Sequence, residues 1–83
     1  IPMIKEVGHK LYIVDALVRI EDFNDFFETE FLDEDYDTLG GLLIKTLGRL
    51  PKEEETIDLK TIKFRVLQAN NRRLQSIEVK KID

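Results

Sequence analysis

The 83-residue sequence has no cysteine and no tryptophan, one methionine, one histidine and two prolines. Without cysteine there is no disulfide to supplement the core, no thiolate for a metal site and no thiol nucleophile, and a reducing compartment fits that usage. The lone histidine, His9, stands at the edge of an apolar stretch, and no serine or threonine has an evident histidine partner. It is therefore expected to be a surface residue rather than a general base. Paired carboxylates of the hydrolase kind cannot be singled out from a solvated acidic face, and we expect no catalysis. No apolar run approaches the roughly 18 to 20 residues that span a bilayer, and no basic stretch leads into the apolar core of a signal peptide. The piece is thus expected to be soluble, without direct membrane insertion. It opens on Ile1 rather than Met, which suggests a fragment of a longer protein. A chain this short reads as a single domain over 1–83, burying about 60 to 65 % of the surface its unfolded form exposes.

What the sequence has in abundance is charge, unevenly placed. The net charge is −4, yet every charged residue from Ile20 to Ile44 is an acid, including Glu21, Asp22, Asp25, Glu28 and the group Asp33, Glu34, Asp35 and Asp37. From Lys60 to Ile82 the bias reverses, with Lys63, Arg65, Arg72, Arg73, Lys80 and Lys81 among the bases and Glu78 the sole acid. A nucleic-acid partner would call for a basic domain or a recognisable binding motif, and this domain is acidic. Two complementary surfaces, meeting within one molecule or between copies as in a homodimer, account for the pattern better.

Periodicity predicts one early strand, two helices and three late strands. His9–Ala16 carries apolar residues on both alternating faces, Leu11 and Ile13 against Tyr12 and Val14, as in a strand inside a sheet and covered on two sides. Ile20, Phe23, Phe26 and Phe27 recur at spacings of three and four, giving a short helix whose outward face holds Glu21, Asp22, Asn24, Asp25 and Glu28. Leu39, Leu42, Leu43, Leu47 and Leu50 predict a second helix that Gly48 ends and Pro51 cannot continue. Thr56–Leu59, Ile62–Gln68 and Leu74–Lys80 read as strands joined near Lys60-Thr61 and through Asn70-Asn71, where asparagine tolerates positive φ. Leu74 and Ile77 lie an odd number apart, so a bulge near Gln75-Ser76 is needed for both to face the core. Lys52–Glu55 reads as a solvated loop. The architecture expected is α+β: one strand, two helices, then a three-strand antiparallel meander, with the helices packed on one face of the sheet.

Asp33 to Gly41 reads DEDYDTLGG and admits three chemistries. As a calcium loop it places Asp33, Asp35 and Asp37 at the first, third and fifth positions, but Thr38 then sits where glycine belongs and Ile44 where a bidentate Glu belongs. Divalent-cation sensing by the acids remains an alternative. As an anion cradle it would use helix N–H groups beside Gly40 and Gly41, with Arg72 or Arg73 as the partner fork, though the neighbouring acids repel phosphate and neither a P-loop lysine nor GxGxxG follows. As a helix start, Asp37 or Thr38 caps the free N–H groups and the acids favour the positive end of the dipole. Each glycine costs up to about 1 kcal/mol of helix propensity against alanine. Close approach of another backbone, or of Tyr36, to the first turn would offset that. Phe23, Phe26, Phe27, Phe31 and Phe64 suffice for a small core, and Tyr12 and Tyr36 carry hydroxyls able to reach a partner.

Taken in order, Tyr12-Ile13-Val14-Asp15, Ile20-Glu21-Asp22-Phe23-Asn24, Asp35-Tyr36-Asp37-Thr38-Leu39-Gly40-Gly41-Leu42, Gly48-Arg49-Leu50-Pro51, Phe64-Arg65-Val66-Leu67 and Arg72-Arg73-Leu74 resemble the CorC/HlyC transporter-associated domain over nearly the whole chain. DYDTLGGL and the following GRLP are the most specific part. The sequence departs from that pattern at Ala16, where glycine often follows Val-Asp, and at Glu53–Glu55, which replace a glycine usual before the first meander strand. The resemblance implies a C-terminal module on the cytoplasmic side of the cell membrane, after a transmembrane region and paired CBS domains, in a hemolysin-like or magnesium and cobalt efflux protein. Its expected partners are those parts of its own parent chain, and its expected role is to modulate ion transport. A fold similar to part of FAD-binding domains also raises FAD or adenine-nucleotide binding through Gly40, Gly41, Arg72 and Arg73, by analogy alone. As a docking module the domain would present apolar surface at Phe31, Tyr36 and Leu50.

Overall fold

The early apolar stretch turns out to be the second arm of a hairpin. The computed structural model describes residues 3–32 and 34–82, and in it β1 (Ile4–Gly8) pairs antiparallel with β2 (Leu11–Asp15), Ile4 opposite Val14 and Gly8 opposite Leu11. The turn is His9-Lys10, with Lys10 at a φ of 56°. β1 escaped the periodicity because the register shifts between Glu6 and Gly8, so its two apolar residues, Ile4 and Val7, do not alternate regularly. The expected single strand is therefore two.

Three further strands complete one antiparallel sheet: β3 (Thr56–Leu59), β4 (Ile62–Ala69) and β5 (Leu74–Lys81), in the order β1-β2-β5-β4-β3. β2 lies inside the sheet as expected, but it is not covered on two sides. Val14 is fully buried, whereas Ile13 on the opposite face remains 37 % exposed. The expected bulge is present, since Gln68 faces Ser76 and Ala69 faces Leu74, leaving Gln75 as an extra residue on β5. Leu74 and Ile77 thereby both point to the core. The Asn70-Asn71 turn works by a different mechanism from the one expected. Neither residue has positive φ; the Asn70 side chain instead accepts from the backbone N–H groups of Arg72 and Arg73 at 2.8 and 3.0 Å, mimicking a backbone turn.

Helices α1 (Ile20–Phe27) and α2 (Leu39–Leu47) cover one face of the sheet. α1 buries Ile20, Phe23 and Phe27, and Phe23 stacks on Phe27 and Phe64 at ring separations of 4.4 and 5.9 Å. Burying an aromatic or branched side chain of this size stabilises by about 1.5–3 kcal/mol, so these phenylalanines are accounted for by packing. Phe26 is the exception at 52 % exposure, held only by edge contact with Tyr12 and Phe27. α2 buries Leu39, Gly40, Leu42 and Leu43 and ends at Gly48, whose φ of 76° is the left-handed conformation a helix stop requires. Leu47 and Leu50 are half-buried. Among the described residues no helix is long and apolar enough to cross a membrane.

Asn24, assigned from periodicity to the outward face of α1, has an interior task. Its Oδ1 accepts from the Thr29 hydroxyl at 2.8 Å and from the Phe31 N–H at 3.0 Å, while its Nδ2 donates to the Phe31 carbonyl at 2.8 Å. These bonds fold the segment after α1 back over the helix end and place the Phe31 ring beside Phe23. Lys81 of β5 donates to the Phe27 carbonyl at 3.4 Å, bringing a cation to the negative end of α1. Asn24→Ala removes three bonds worth about 0.5–1.5 kcal/mol each. We expect a loss of about 2–3 kcal/mol in urea unfolding with unchanged m value, and a smaller loss in Asn24→Asp, which keeps the acceptor.

Candidate functional site

The DEDYDTLGG segment is a helix start seated on the connection between β2 and α1. Thr38, rather than Asp37, supplies the cap: its hydroxyl accepts from the Gly41 N–H at 3.2 Å. The remaining donors of the first turn are also taken, Leu39 N–H by the Val18 carbonyl and Gly40 N–H by the Ala16 carbonyl, both at 2.9 Å, and Leu42 N–H by the Thr38 carbonyl at 3.0 Å. An anion bound at this helix end would have to displace these bonds, since no donor of the first turn is left over.

The two glycines are explained by the two neighbours expected for them, one each. A Cβ on Gly40 would lie 3.2 Å from the Ala16 carbonyl oxygen, and a Cβ on Gly41 would lie 2.9 Å from Tyr36 Cβ. Neither arginine of the expected fork meets them. Arg72 and Arg73 sit at the β4–β5 turn, exposed, with no ion pair among the described residues. Asp35 pairs with Lys45 of α2. Asp33, the first position of the hypothetical calcium loop, lies outside the described residues, and among the others no three acidic or histidine side chains converge on a common point.

Of the expected docking residues, Phe31 must be corrected. It is buried in the core, with Lys60 Nζ 5.4 Å from its ring centroid, because the Asn24 bonds pull its backbone inward. Tyr36 is half-buried against Gly41, and Leu50 is half-buried beside the buried Pro51. The apolar side chains that do reach the surface lie elsewhere. Met3, Ile13 and Leu17 line a groove of about 400 Å³ on the uncovered face of the sheet, together with Lys5, Asp15 and Arg73. The alternation Leu11, Ile13, Asp15 places Ile13 on that face; assuming two-sided cover for β2 concealed it.

The Lys52–Glu55 loop is tied down rather than freely solvated. Arg49 forms a two-armed pair with Glu55, whose Oε1 also accepts from the Lys52 N–H at 3.0 Å. Glu53 accepts from the Ala69 N–H at 3.1 Å, and Arg65 holds Glu78 at 2.9 and 3.1 Å and Glu54 at 3.3 Å. The Arg49 bond, followed by the Lys52 N–H, holds the Glu55 carboxyl down at about 2 from an ordinary 4.5.

These features match a known set of proteins. The CorC_HlyC family, described as the transporter associated domain, matches residues 5–83. The chain belongs to that family. It is 42 % identical over 76 residues to the magnesium and cobalt efflux protein CorC of Escherichia coli K12, an alignment covering 92 % of this chain and 26 % of that protein. The chain thus spans about a quarter of the length of the curated relatives it matches. The crystal structure of a Mg2+ and Co2+ transporter (CorC) associated region from Neisseria meningitidis MC58 superposes with a TM-score of 0.95 at 37 % identity, covering 98 % of this chain and all of that one. A hemolysin domain from Enterococcus faecalis V583 does so at 0.90 and 30 %, covering 99 % of this chain and all of its own. Each of those two crystallised chains is covered in full by the superposition.

Substitution at the glycines separates propensity from packing. Alanine gains up to about 1 kcal/mol of helix propensity, but overpacking costs about 1–3 kcal/mol, and at Gly41 the obstructing atom is a Cβ that cannot swing away. We expect Gly41→Ala to lower the denaturant midpoint clearly and Gly40→Ala to lower it less, because at 3.2 Å the Ala16 carbonyl needs to give only a few tenths of an ångström. For Glu55 the depressed carboxyl makes its contribution to stability fully present above about pH 4.5 and lost as pH falls towards 2. In Arg49→Ala, NMR titration should move the Glu55 carboxyl back up towards the ordinary value, and the acid limb of the stability profile should move with it.

Proposed function

We propose that this domain is a non-catalytic docking module that modulates magnesium and cobalt efflux by the longer membrane protein to which it belongs, working on the cytoplasmic side against the transmembrane and CBS parts of its own parent. The observation that carries this reading is the alignment itself. Nine-tenths of the chain matches CorC, and that match is one quarter of CorC. The remaining three quarters of such a parent are then covalently present at high effective concentration, so a weak surface suffices to engage them.

Every buried core side chain among the described residues is apolar, so contact with a parent falls to the surface. Ion pairs on the surface contribute about 0–1 kcal/mol each, which gives orientation but little affinity, so the exposed apolar side chains must supply the rest. The test is removal of the domain from the full-length protein, followed by Mg2+ and Co2+ flux in membrane vesicles at matched protein levels. We expect correctly inserted protein whose flux, or whose dependence of flux on ion concentration, changes severalfold. Unaltered flux would eliminate a modulating role.

A further inference from the structure

The helices cover one face of the sheet, and the other face carries a groove that none of the described residues fills. Its apolar lining comes from Met3, Ile13 and Leu17, at 39, 37 and 54 % exposure, beside the polar side chains of Gln68, Gln75 and Ser76. It also carries two cations on separate segments, Lys5 on β1 and Arg73 in the turn just before β5. Neither makes an ion pair among the described residues, whereas Arg19, Arg49, Arg65 and Lys45 of the same molecule all do. The one carboxylate in the groove, Asp15, already accepts from the Leu17 N–H at 2.8 Å.

We propose that this groove binds an extended acidic segment of the parent chain, one that lays a branched apolar side chain on Ile13 and Leu17 with a carboxylate on either side for Lys5 and Arg73. The inference rests on the docking role above and assigns it a surface. Charge complementarity selects the occupant: an apolar patch beside two cations that outnumber the one carboxylate of the groove favours an apolar residue flanked by acids and disfavours a basic segment by like-charge repulsion. Strand geometry agrees. Lys5 lies opposite Ile13 in the β1–β2 register, whereas Arg73 precedes β5, five residues before Glu78, the other partner of Ile13, so the two cations reach the groove from different levels along the strands. A strand places every second side chain on one face at intervals of about 7 Å, which suits an acid–apolar–acid pattern at alternate positions.

The experiment places a photo-crosslinking benzoylphenylalanine at position 13 of the full-length protein in membranes. We expect a crosslink within the same polypeptide, mapped by mass spectrometry to a segment with acids within two residues of the linked site. The double reversal Lys5→Glu, Arg73→Glu should reduce its yield at least fivefold, as should 0.5 M salt, which screens exposed charges. A synthetic peptide of the mapped segment should shift amide resonances of Lys5, Ile13, Leu17 and Arg73 in the isolated domain, and Leu17→Asp, outside the strands, should abolish those shifts while leaving the thermal midpoint in place. No crosslink, a crosslink to a basic or uncharged segment, a crosslink only between copies, or indifference to charge reversal would each overturn the proposal. If deleting the domain alters flux while the reversed and Leu17→Asp proteins transport normally, the groove is wrong and the modulating role stands. If deletion itself changes nothing, both fall.

Discussion

At Gly40 the start of α2 sits directly on the backbone that leaves β2, and a hydrogen bond holds it there. The Ala16 carbonyl accepts from the Gly40 N–H, while the Ala16 N–H donates to the Gln75 carbonyl of β5, both at 2.9 Å. One residue thus bridges the sheet and a helix start. The next bonds extend the seam: the Val18 carbonyl takes the Leu39 N–H, the Ile20 N–H donates to the Asp37 carbonyl at 2.8 Å, and Arg19 and Thr38 form an antiparallel bridge. The two helices begin by satisfying each other's orphan backbone groups, the usual weak point of short helices. With nine residues, α2 could not hold itself together from propensity alone; the seam fixes its position, and Leu39, Leu42 and Leu43 then close over the sheet. Ala16 belongs to the same contact. Its carbonyl oxygen, rather than its side chain, is the atom that a Gly40 Cβ would crowd, at 3.2 Å.

Much of this is legible in the sequence, and the reasons are local. The meander strands and their turns declared themselves because β-branched and aromatic residues alternate between short polar breaks, and the odd spacing of Leu74 and Ile77 required a bulge that the register contains. The glycine pair announced a close approach because nothing else offsets its cost within a helix. What stayed hidden was non-local. β1 has two apolar residues out of register around an irregularity, so no period exists to detect. Asn24 looked like one more polar residue on a wet helix face, and only the return of Thr29–Phe31 reveals its three bonds. Phe31 looked marginal for the same reason.

Left-handed backbone at residues other than glycine follows a similar logic. Lys10, Glu28, Glu54 and Lys60 all have φ between 56° and 71°, a region that costs roughly 1 kcal/mol for a residue with a Cβ. Each sits where two elements must reverse direction within few residues. Glu54 is the instructive case, since it lies in a loop of three consecutive glutamates that all make bonds. These run from Glu53 to β4, from Glu54 to Arg65 and from Glu55 to Arg49. Here the acids act as ties between a helix end and the sheet edge, not as a surface charge.

Covering a sheet on one face has an unavoidable consequence in a chain this short. β2 pairs with β1 and β5, so its backbone is satisfied, but alternation still sends Ile13 to the face that no helix reaches. A free-standing protein would be expected to place a polar residue there, as it does with Lys63 and Lys80 on the same face. Ile13 instead lies between Met3 and Leu17 in a groove rimmed by cations. The α2 seam contributes to this indirectly. By holding both helices to one side of the sheet, it leaves the groove on the other side open, so one face of the sheet carries the core and the opposite face keeps Ile13 at the surface.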